Sequence, residues 1–281
     1  MSDNYNFNLK VSRGVIYVLL FVLMLITILP IWLLLVNATR STVEIQQGIS
    51  LLPSTHALEN YRALASKGLN IGQGFWNSLF LSVAITILSV YFGFLAAYGI
   101  VVYEFKGKKM FAGFIVVLVL IPMQLSIIGF FQYMSKLGLT DTYAALILPA
   151  IASAFAVFFG IQYLESVVIR ALIDAARVDG AGEIRIYHRI MLPLAMPGAV
   201  TLAIFTFIAS WNNFFTPFIL ISSRDKYTLP MLVQTLQGDI YRTEYGAIYL
   251  GLAITVLPVI VIYLLLSKFI VSGIAMGSVK E

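Results

Sequence analysis

Six long apolar segments, separated by more polar stretches, dominate the sequence. Each is long enough to cross a bilayer as a helix, which takes about 20 apolar residues. None of them contains Asp, Glu, Lys, Arg or His. Because lipid cannot hydrogen-bond the backbone, such segments must satisfy it internally, as helices do. The pattern predicts an all-α polytopic membrane protein, a single transmembrane domain over residues 1–281 with six transmembrane helices at 14–36, 75–102, 110–131, 142–163, 196–221 and 246–267.

A charged stretch that covers most of the loop 164–195 interrupts this apolar pattern; we call residues 169–197, which reach the start of the fifth predicted span, the charged patch. The sequence of Asp174–Val178 suits one short helix, and Glu183–Met191 suits a second. The turn 179–182 reads Asp-Gly-Ala-Gly, and these residues tolerate left-handed backbone angles. Pro193 should close the second helix, because proline lacks a backbone N–H. The prediction is a helix-turn-helix at a membrane surface, with charges at Arg170, Asp174, Arg177, Asp179, Glu183, Arg185 and Arg189.

The composition narrows the chemistry. Of 281 residues, 60% are hydrophobic and only 11% are charged, which is far from a soluble protein. The chain has no cysteine, which excludes disulfides, thiolate metal sites and a cysteine nucleophile. Its two histidines, His56 and His188, cannot form a metal cluster by themselves. We therefore expect no metal site, no catalytic residue and no binding of nucleic acid.

The distribution of basic residues predicts the orientation. Eleven of the 18 Lys and Arg residues fall on the side that carries both termini and the charged patch, and seven fall on the other side. Since basic residues are enriched in cytoplasmic loops, both termini and the charged patch should face the cytoplasm. Binding sites for an external protein would then lie in the loops 37–74 and 222–245 on the opposite side.

The uncharged spans also bear on the source of energy. A proton-coupled or ion-coupled carrier usually keeps an ionisable group near the middle of the membrane, and this chain has none in its predicted spans. It also lacks a GxxxxGK[ST] loop for nucleotide phosphates. If the chain drives transport, the energy arrives through a partner; an autonomous carrier or channel is the alternative.

Neutral polar side chains within the apolar segments are candidates for a substrate path. Amides and nearby aromatic rings suit the hydroxyl groups and faces of a sugar, although hydrogen bonding between helices would also explain amides in a membrane. Prolines within five of the spans are either ordinary kinks or places where a path opens and closes. The candidates for the substrate path are Asn77, Gln124, Asn212 and Asn213.

The charged patch resembles the EAA loop of ABC importer permeases. That loop reads E-A-A-x-x-x-G and continues, after nine further residues, with I-x-L-P. Here Asp174-Ala175-Ala176 is followed by Gly180 and, after nine residues, by Ile190-x-Leu192-Pro193; Asp174 replaces the usual glutamate. The carbohydrate-uptake branch of that family is matched further by the segments 57–61, 76–79, 96–99, 105–107, 210–214 and 272–280.

The resemblance implies a heteromeric importer in the plasma membrane of a bacterium, moving a carbohydrate such as an oligosaccharide. Its other parts would be a second homologous permease, two ATP-binding subunits that hold ATP and Mg²⁺, and an extracellular solute-binding protein. By the same resemblance, the charged patch is a coupling helix that docks on the ATPase, and the tail 272–280 reaches toward that interface or is disordered. The residues implied in ATPase coupling are Asp174, Ala175, Ala176, Arg177, Asp179, Gly180 and Pro193.

A permease for another solute, such as a polyamine or an anion, is a further alternative. A polyamine favours carboxylates along its path, and an anion favours Arg or Lys. The predicted spans contain neither kind of side chain, so the residues favour an uncharged solute.

Overall fold

The computed structural model describes residues 2–66, 70–237 and 244–277, with helices as its regular elements. Residues 1, 67–69, 238–243 and 278–281 lie outside this description, and the last of these ranges includes the end of the predicted tail 272–280. In chain order the elements are α1 (Ser2–Ala38), α2 (Thr42–Gln46), α3 (Ala57–Ser66), α4 (Ile71–Val102), α5 (Lys108–Leu120), α6 (Met123–Lys136), α7 (Ala144–Ile147), a 3-10 helix (Leu148–Ala152), α8 (Ala154–Val167), α9 (Arg170–Val178), α10 (Glu183–Ile186), a π-helix (Tyr187–Met191), α11 (Leu192–Leu194), α12 (Met196–Trp211), α13 (Phe215–Leu220), a 3-10 helix (Arg224–Lys226), α14 (Leu229–Gln237) and α15 (Tyr245–Gly277).

The prediction of an all-helical membrane protein is confirmed. In the part of the chain that the structure describes, four helical segments are long and apolar enough to cross a membrane: Arg13–Ala38, Ile71–Val102, Ala144–Val167 and Tyr245–Leu264. Two bent helix pairs raise the number to six if each pair forms one span.

The third predicted span, 110–131, is not one straight helix. It consists of α5 and α6, whose axes differ by 100°. Pro122 causes the break, since it has no N–H for the helical ladder and forces the residue before it out of the α-helical region. Ile121 accordingly has φ −76° and ψ 118°. The fifth predicted span, 196–221, is likewise interrupted, between Trp211 and Phe215.

In the charged patch, the first helix begins earlier than predicted, at Arg170. The expectation that Pro193 closes the second helix is wrong. The chain passes from α10 through the π-helix Tyr187–Met191 into α11, where Pro193 occupies the first turn. Proline is tolerated there because the first N–H groups of a helix have no partner within it. The helical path ends at Leu194 and turns by 78° into α12.

The chain divides into two compact units. One comprises residues 1–69 with 233–256, and the other comprises 70–232 with 257–281, apart from the residues outside the description. In the first unit, Asn60 of α3 joins the end of α1 to the loop after it. The Asn60 amide donates to the carbonyls of Ala38 (2.9 Å) and Arg40 (3.0 Å). Gly246 packs against the Asn60 side chain and the Arg40 carbonyl.

The core of the second unit is built on α4, with α8 and α12 packed along it. Small residues let α4 and α8 approach closely, as in many membrane proteins. A Cβ atom placed on Gly93 would lie 2.6 Å from the Cβ of Ala156 and 2.9 Å from its carbonyl carbon. The charged patch joins this core through Ile173, Ile186 and Tyr187, each at most 2% exposed.

Replacing Gly93 by Ala should therefore destabilise the second unit. The added methyl group meets the backbone of Ala156, which cannot swing away as a side chain would, so we expect a loss of about 1–3 kcal/mol in the free energy of unfolding. Unfolding of the purified chain by titration with denaturing detergent measures it. Gly99→Ala on the same helix is the matched control, because a Cβ there has no atom within 4 Å; equal effects of the two changes would contradict the packing argument.

Candidate functional site

The turn of the charged patch is built around Gly180. This residue has φ +78°, in the left-handed region that favours glycine. The N–H of Ala181 donates back to the carbonyl of Ala176 at 2.9 Å, and the N–H of Gly180 donates to the carbonyl of Arg177 at 3.0 Å. These bonds cap the end of α9. The predicted turn between two short helices is thus present, and its left-handed backbone conformation explains why glycine occupies position 180.

The exposed face of the patch differs in part from the predicted residues. Asp174, Ala175, Arg177 and Asp179 are exposed, while Ala176 is half-buried against the core. Two apolar side chains at the turn are also exposed, Val178 at 88% and Ile184 at 78%. The residue types alone do not distinguish these two from core positions. The exposed tip therefore combines charge with apolar contact area.

The Glu183 carboxylate accepts hydrogen bonds from both the charged patch and α4. Its Oε1 accepts from Nε of Arg177 at 2.9 Å, and its Oε2 accepts from the hydroxyl of Tyr98 at 2.6 Å. These two bonds join α10 to α9 and to the membrane helix α4. Donors led by the Arg177 guanidinium, with two tyrosine hydroxyls, lower the pKa of the Glu183 carboxyl to about 2. Sequence reasoning counted Glu183 only as one of the charges.

Arg177 has further partners that hold it in place. Its Nη1 donates to Asp174 at 3.3 Å, one helical turn earlier. Its guanidinium carbon lies 5.5 Å from the centre of the Tyr103 ring, within the range of a cation–π contact. The Glu183 contact raises the pKa of the already basic Arg177 guanidinium further. The arginine is consequently charged and oriented by its own chain.

Glu104 fastens the other end of α9. Its Oε1 lies 3.1 Å from both the Lys108 ammonium and Nη2 of Arg170. These partners, Lys108 first, lower the pKa of the Glu104 carboxyl. Since Glu104 directly follows α4, both ends of α9 are tied to the same membrane helix. No local pattern in the sequence indicates this contact, because Glu104 and Arg170 are far apart in the chain.

The π-helix Tyr187–Met191 places the rings of Tyr187 and His188 against α4. The hydroxyl of Tyr187 donates to the carbonyl of Tyr91 at 3.0 Å. His188 lies 2.8 Å from the carbonyl of Ile184 through Nδ1 and 3.1 Å from the Tyr91 hydroxyl through Nε2. With a proton on Nδ1, the ring donates to this carbonyl, and Nε2 can accept from the Tyr91 hydroxyl. The patch is thus a rigid extension of α4 rather than a loose loop.

A cavity of about 640 Å³ opens along the earlier part of α4. Ser78, Leu81, Ile85 and Ser89 line it at helical spacing, so one face of α4 forms its wall. The lining is largely apolar, and its polar groups are neutral. None of the described lining residues is ionisable. The polar lining residues are Ser78, Ser89, Gln124, Ser153, Thr206, Ser210, Asn213, Thr216 and Thr228.

Two of the four predicted path residues, Gln124 and Asn213, line this cavity. Asn77 and Asn212 do not belong to the described lining. The Asn77 amide instead donates to the carbonyls of Asp225 (2.8 Å) and Tyr227 (3.0 Å), which ties the start of α4 to a loop. Thr228 was not predicted; its buried hydroxyl faces the cavity and has no hydrogen-bond partner among the described residues.

Asp141 holds the loop beyond the cavity. Its carboxylate accepts from the N–H groups of Ser222 and Ser223, both at 2.9 Å, and from the Lys226 ammonium at 2.9 Å. The Ser223 hydroxyl, these N–H groups and the ammonium hold the pKa of the Asp141 carboxyl well below its usual range. We call this group the Asp141 clasp.

The charged patch and this loop lie at opposite ends of α4. Asn77 binds the loop, whereas Tyr98 binds the patch, and 21 residues separate them. At 1.5 Å per residue the separation is about 32 Å, close to the thickness of the apolar part of a bilayer. One helix therefore carries the loop at one end, the cavity along its side and the charged patch at the other end.

Comparison with known proteins identifies the family of the chain. A family described as "Binding-protein-dependent transport system inner membrane component" matches residues 89–275. The arabinooligosaccharides transport system permease protein AraQ of Halalkalibacterium halodurans is 34% identical over 258 residues, covering 91% of this chain and 92% of that protein. The diacetylchitobiose uptake system permease protein NgcG of Streptomyces coelicolor is 32% identical over 267 residues, covering 94% and 88%.

A solved structure supports the fold. It is the crystal structure of a bacterial ABC transporter involved in the import of the acidic polysaccharide alginate. One of its chains superposes with a TM-score of 0.80 at 23% identity, covering 93% of this chain and 97% of that chain. The family match and the relatives together show that this chain belongs to the binding-protein-dependent transport system inner membrane components, the permease subunits of ABC importers.

Proposed function

We propose that this chain is the permease subunit of an ATP-binding-cassette importer that moves a carbohydrate, specifically an oligosaccharide, across the bacterial plasma membrane. The observation that carries the proposal is that α4 bears both a cavity with an uncharged polar lining and a rigidly attached charged patch. Neutral amides and hydroxyls suit the hydroxyl groups of a sugar, and the aromatic rings of Phe130, Phe155 and Phe205 in the same lining suit its apolar faces. Permeases named for arabinooligosaccharides and diacetylchitobiose are among its relatives.

The proposal includes partners that the chain needs for energy and specificity. A second, homologous permease completes the pore, and two ATP-binding subunits hold ATP and Mg²⁺. An extracellular solute-binding protein delivers the sugar and docks on the loops 37–74 and 222–245. The description of the family as binding-protein-dependent supports this composition. Both termini and the charged patch face the cytoplasm, in agreement with the excess of Lys and Arg on that side.

The contacts of the charged patch suggest how the energy would reach the cavity. The exposed tip, with Asp174, Arg177, Val178 and Asp179, docks on the ATPase. When the ATPases close, the patch moves as one body, because Glu183 and Glu104 join its two helices to α4. Its displacement then passes into α4 and changes the wall of the cavity. Packed elements of this kind switch between discrete arrangements rather than deforming smoothly.

Charge reversal of Asp179 to Arg tests the docking of the patch. Because like charges placed opposite each other at an interface cost several kcal/mol, ATP-driven uptake in proteoliposomes should fall about tenfold or more, while basal ATP hydrolysis persists. Lys106→Glu, an exposed change in the loop after α4, is the control and should leave uptake unchanged. Uptake by the chain without its ATP-binding subunits would instead support an autonomous carrier.

Substitution of Glu183 by Gln tests the joint between the patch and α4. The pKa of Glu183 is lowered from 4.5 to about 2 in the folded chain, so its charged form stabilises the fold above pH 4.5. That stabilisation is lost as the pH falls from 4.5 toward 2. The melting temperature of the Gln variant should lie below that of the original chain at pH 7, and the difference should shrink below pH 4.5. Thermal unfolding in detergent across this range measures it, and a difference independent of pH would contradict the role given to the carboxylate.

Substitution of Gln124 by Leu tests the cavity as the sugar path. Losing one amide hydrogen bond to the solute should cost about 0.5–1.5 kcal/mol, a decrease of about two- to tenfold in the uptake efficiency of the complete transporter. Asn212→Leu is the matched control, since Asn212 is exposed outside the described lining. Uptake of a panel of labelled sugars that includes arabino-oligosaccharides and diacetylchitobiose identifies the solute. Equal effects of the two changes would remove the cavity from the path.

A further inference from the structure

The loop between α2 and α3 exposes an unusual run of apolar side chains. Ile49, Leu51 and Leu52 are 87%, 55% and 76% exposed. They follow one another within four residues, in the loop 37–74, which the sequence predicts as a binding site for an external protein. Contiguous exposed apolar side chains mark an interaction surface. We call residues 49–52 the apolar tip.

The apolar tip folds back along α1 instead of pointing away from it. The indole N–H of Trp32 donates to the carbonyl of Leu51 at 3.0 Å. Trp32 stands six residues before Ala38, the end of α1, and therefore about 9 Å below that end along the helix axis. A second observation agrees with this depth: Ile49 lines a groove of about 480 Å³ together with Pro30, Leu33 and Leu34.

The depth of Trp32 places the apolar tip at the edge of the bilayer. The apolar part of α1, Arg13–Ala38, has 26 residues and is about 39 Å long at 1.5 Å per residue. The hydrocarbon core is about 30 Å thick, which leaves roughly 4–5 Å at each end of a centred helix. The level of Trp32 then falls about 4–5 Å inside the boundary, near the interfacial region where Trp side chains are enriched.

Several backbone carbonyls of the loop have hydrogen-bond partners within the chain. Arg40, only 7% exposed, donates through its guanidinium to the carbonyls of Glu44 and of Gly48, the latter at 3.0 Å. The hydroxyl of Ser50 donates to the carbonyl of Leu52 at 3.3 Å. With the bond from Trp32 to Leu51, four carbonyls around the apolar tip are satisfied by their own chain. Backbone next to lipid requires such internal partners.

We propose that the apolar tip is a membrane anchor, which inserts Ile49, Leu51 and Leu52 into the interfacial layer of the leaflet at the carboxyl end of α1. In the orientation proposed above, this is the outer leaflet. The partner is the lipid bilayer itself rather than another subunit. The anchor fixes the start of the loop that leads to α3, and so sets the height of that loop above the membrane.

The absence of cysteine from the chain makes a direct test possible, because a single introduced cysteine can carry a spin label without a background from this chain. Leu52→Cys carries the label at the apolar tip, in the complete transporter reconstituted in phospholipid vesicles. Its accessibility to oxygen, which concentrates in lipid, is compared with its accessibility to a water-soluble nickel chelate. Glu59→Cys on α3 is the matched control, since the Glu59 side chain is 72% exposed in the same unit.

The label at Leu52 should show an oxygen-to-nickel accessibility ratio several-fold higher than the label at Glu59. Ile49→Cys should give the same high ratio, which guards against a local effect of one label. Free access of nickel to both tip positions would place the apolar tip in water and overturn the proposal. Shielding of both positions from oxygen and nickel alike would also overturn it, because a protein subunit would then cover the apolar tip.

Discussion

The close approach of α4 and α8 is the contact on which the rest of the second unit depends. Without a side chain at Gly93, the backbone of Ala156 comes near enough for the two helices to interlock, and Gly160 accepts Ala97 in the same way. Packing between membrane helices gains little from the hydrophobic effect, because lipid is as apolar as the side chains, so close contact must supply the stability. A firmly seated α4 then gives the cavity a fixed wall and the charged patch a fixed base.

Most of the fold was predictable because length and the absence of charge determine which segments cross a membrane. The interruptions were harder to place. The prolines of the spans were expected to be ordinary kinks or places where a path opens and closes, but a sequence gives no angle, and the 100° bend at Pro122 divides one predicted span into two helices. No residue type in the sequence indicates the π-helix at Tyr187–Met191. The helical path continues through it to Leu194, although the rule that proline ends a helix predicted an end at Pro193.

The sequence predicted the uncharged polar character of the cavity, but it identified only some of the residues that line it. Gln124 and Asn213 line the cavity, whereas the neighbouring Asn212 is exposed, because the chain leaves its helix after Trp211 and the helical phase no longer applies. Asn77 serves backbone carbonyls of a loop that lies about 150 residues later in the sequence. Glu183 was seen only as a charge, since its partners Tyr98 and Arg177 become neighbours only through folding.

The Asp141 clasp has a consequence for the surroundings in which the protein works. In the proposed orientation it lies outside the cell, where the pH follows that of the medium. Its carboxylate keeps its charge far into the acid range, because the Ser223 hydroxyl and its other donors favour the ionised form. The loop tied by Asp141 should therefore keep these contacts in a mildly acidic medium, in which ordinary carboxyl groups begin to take up protons.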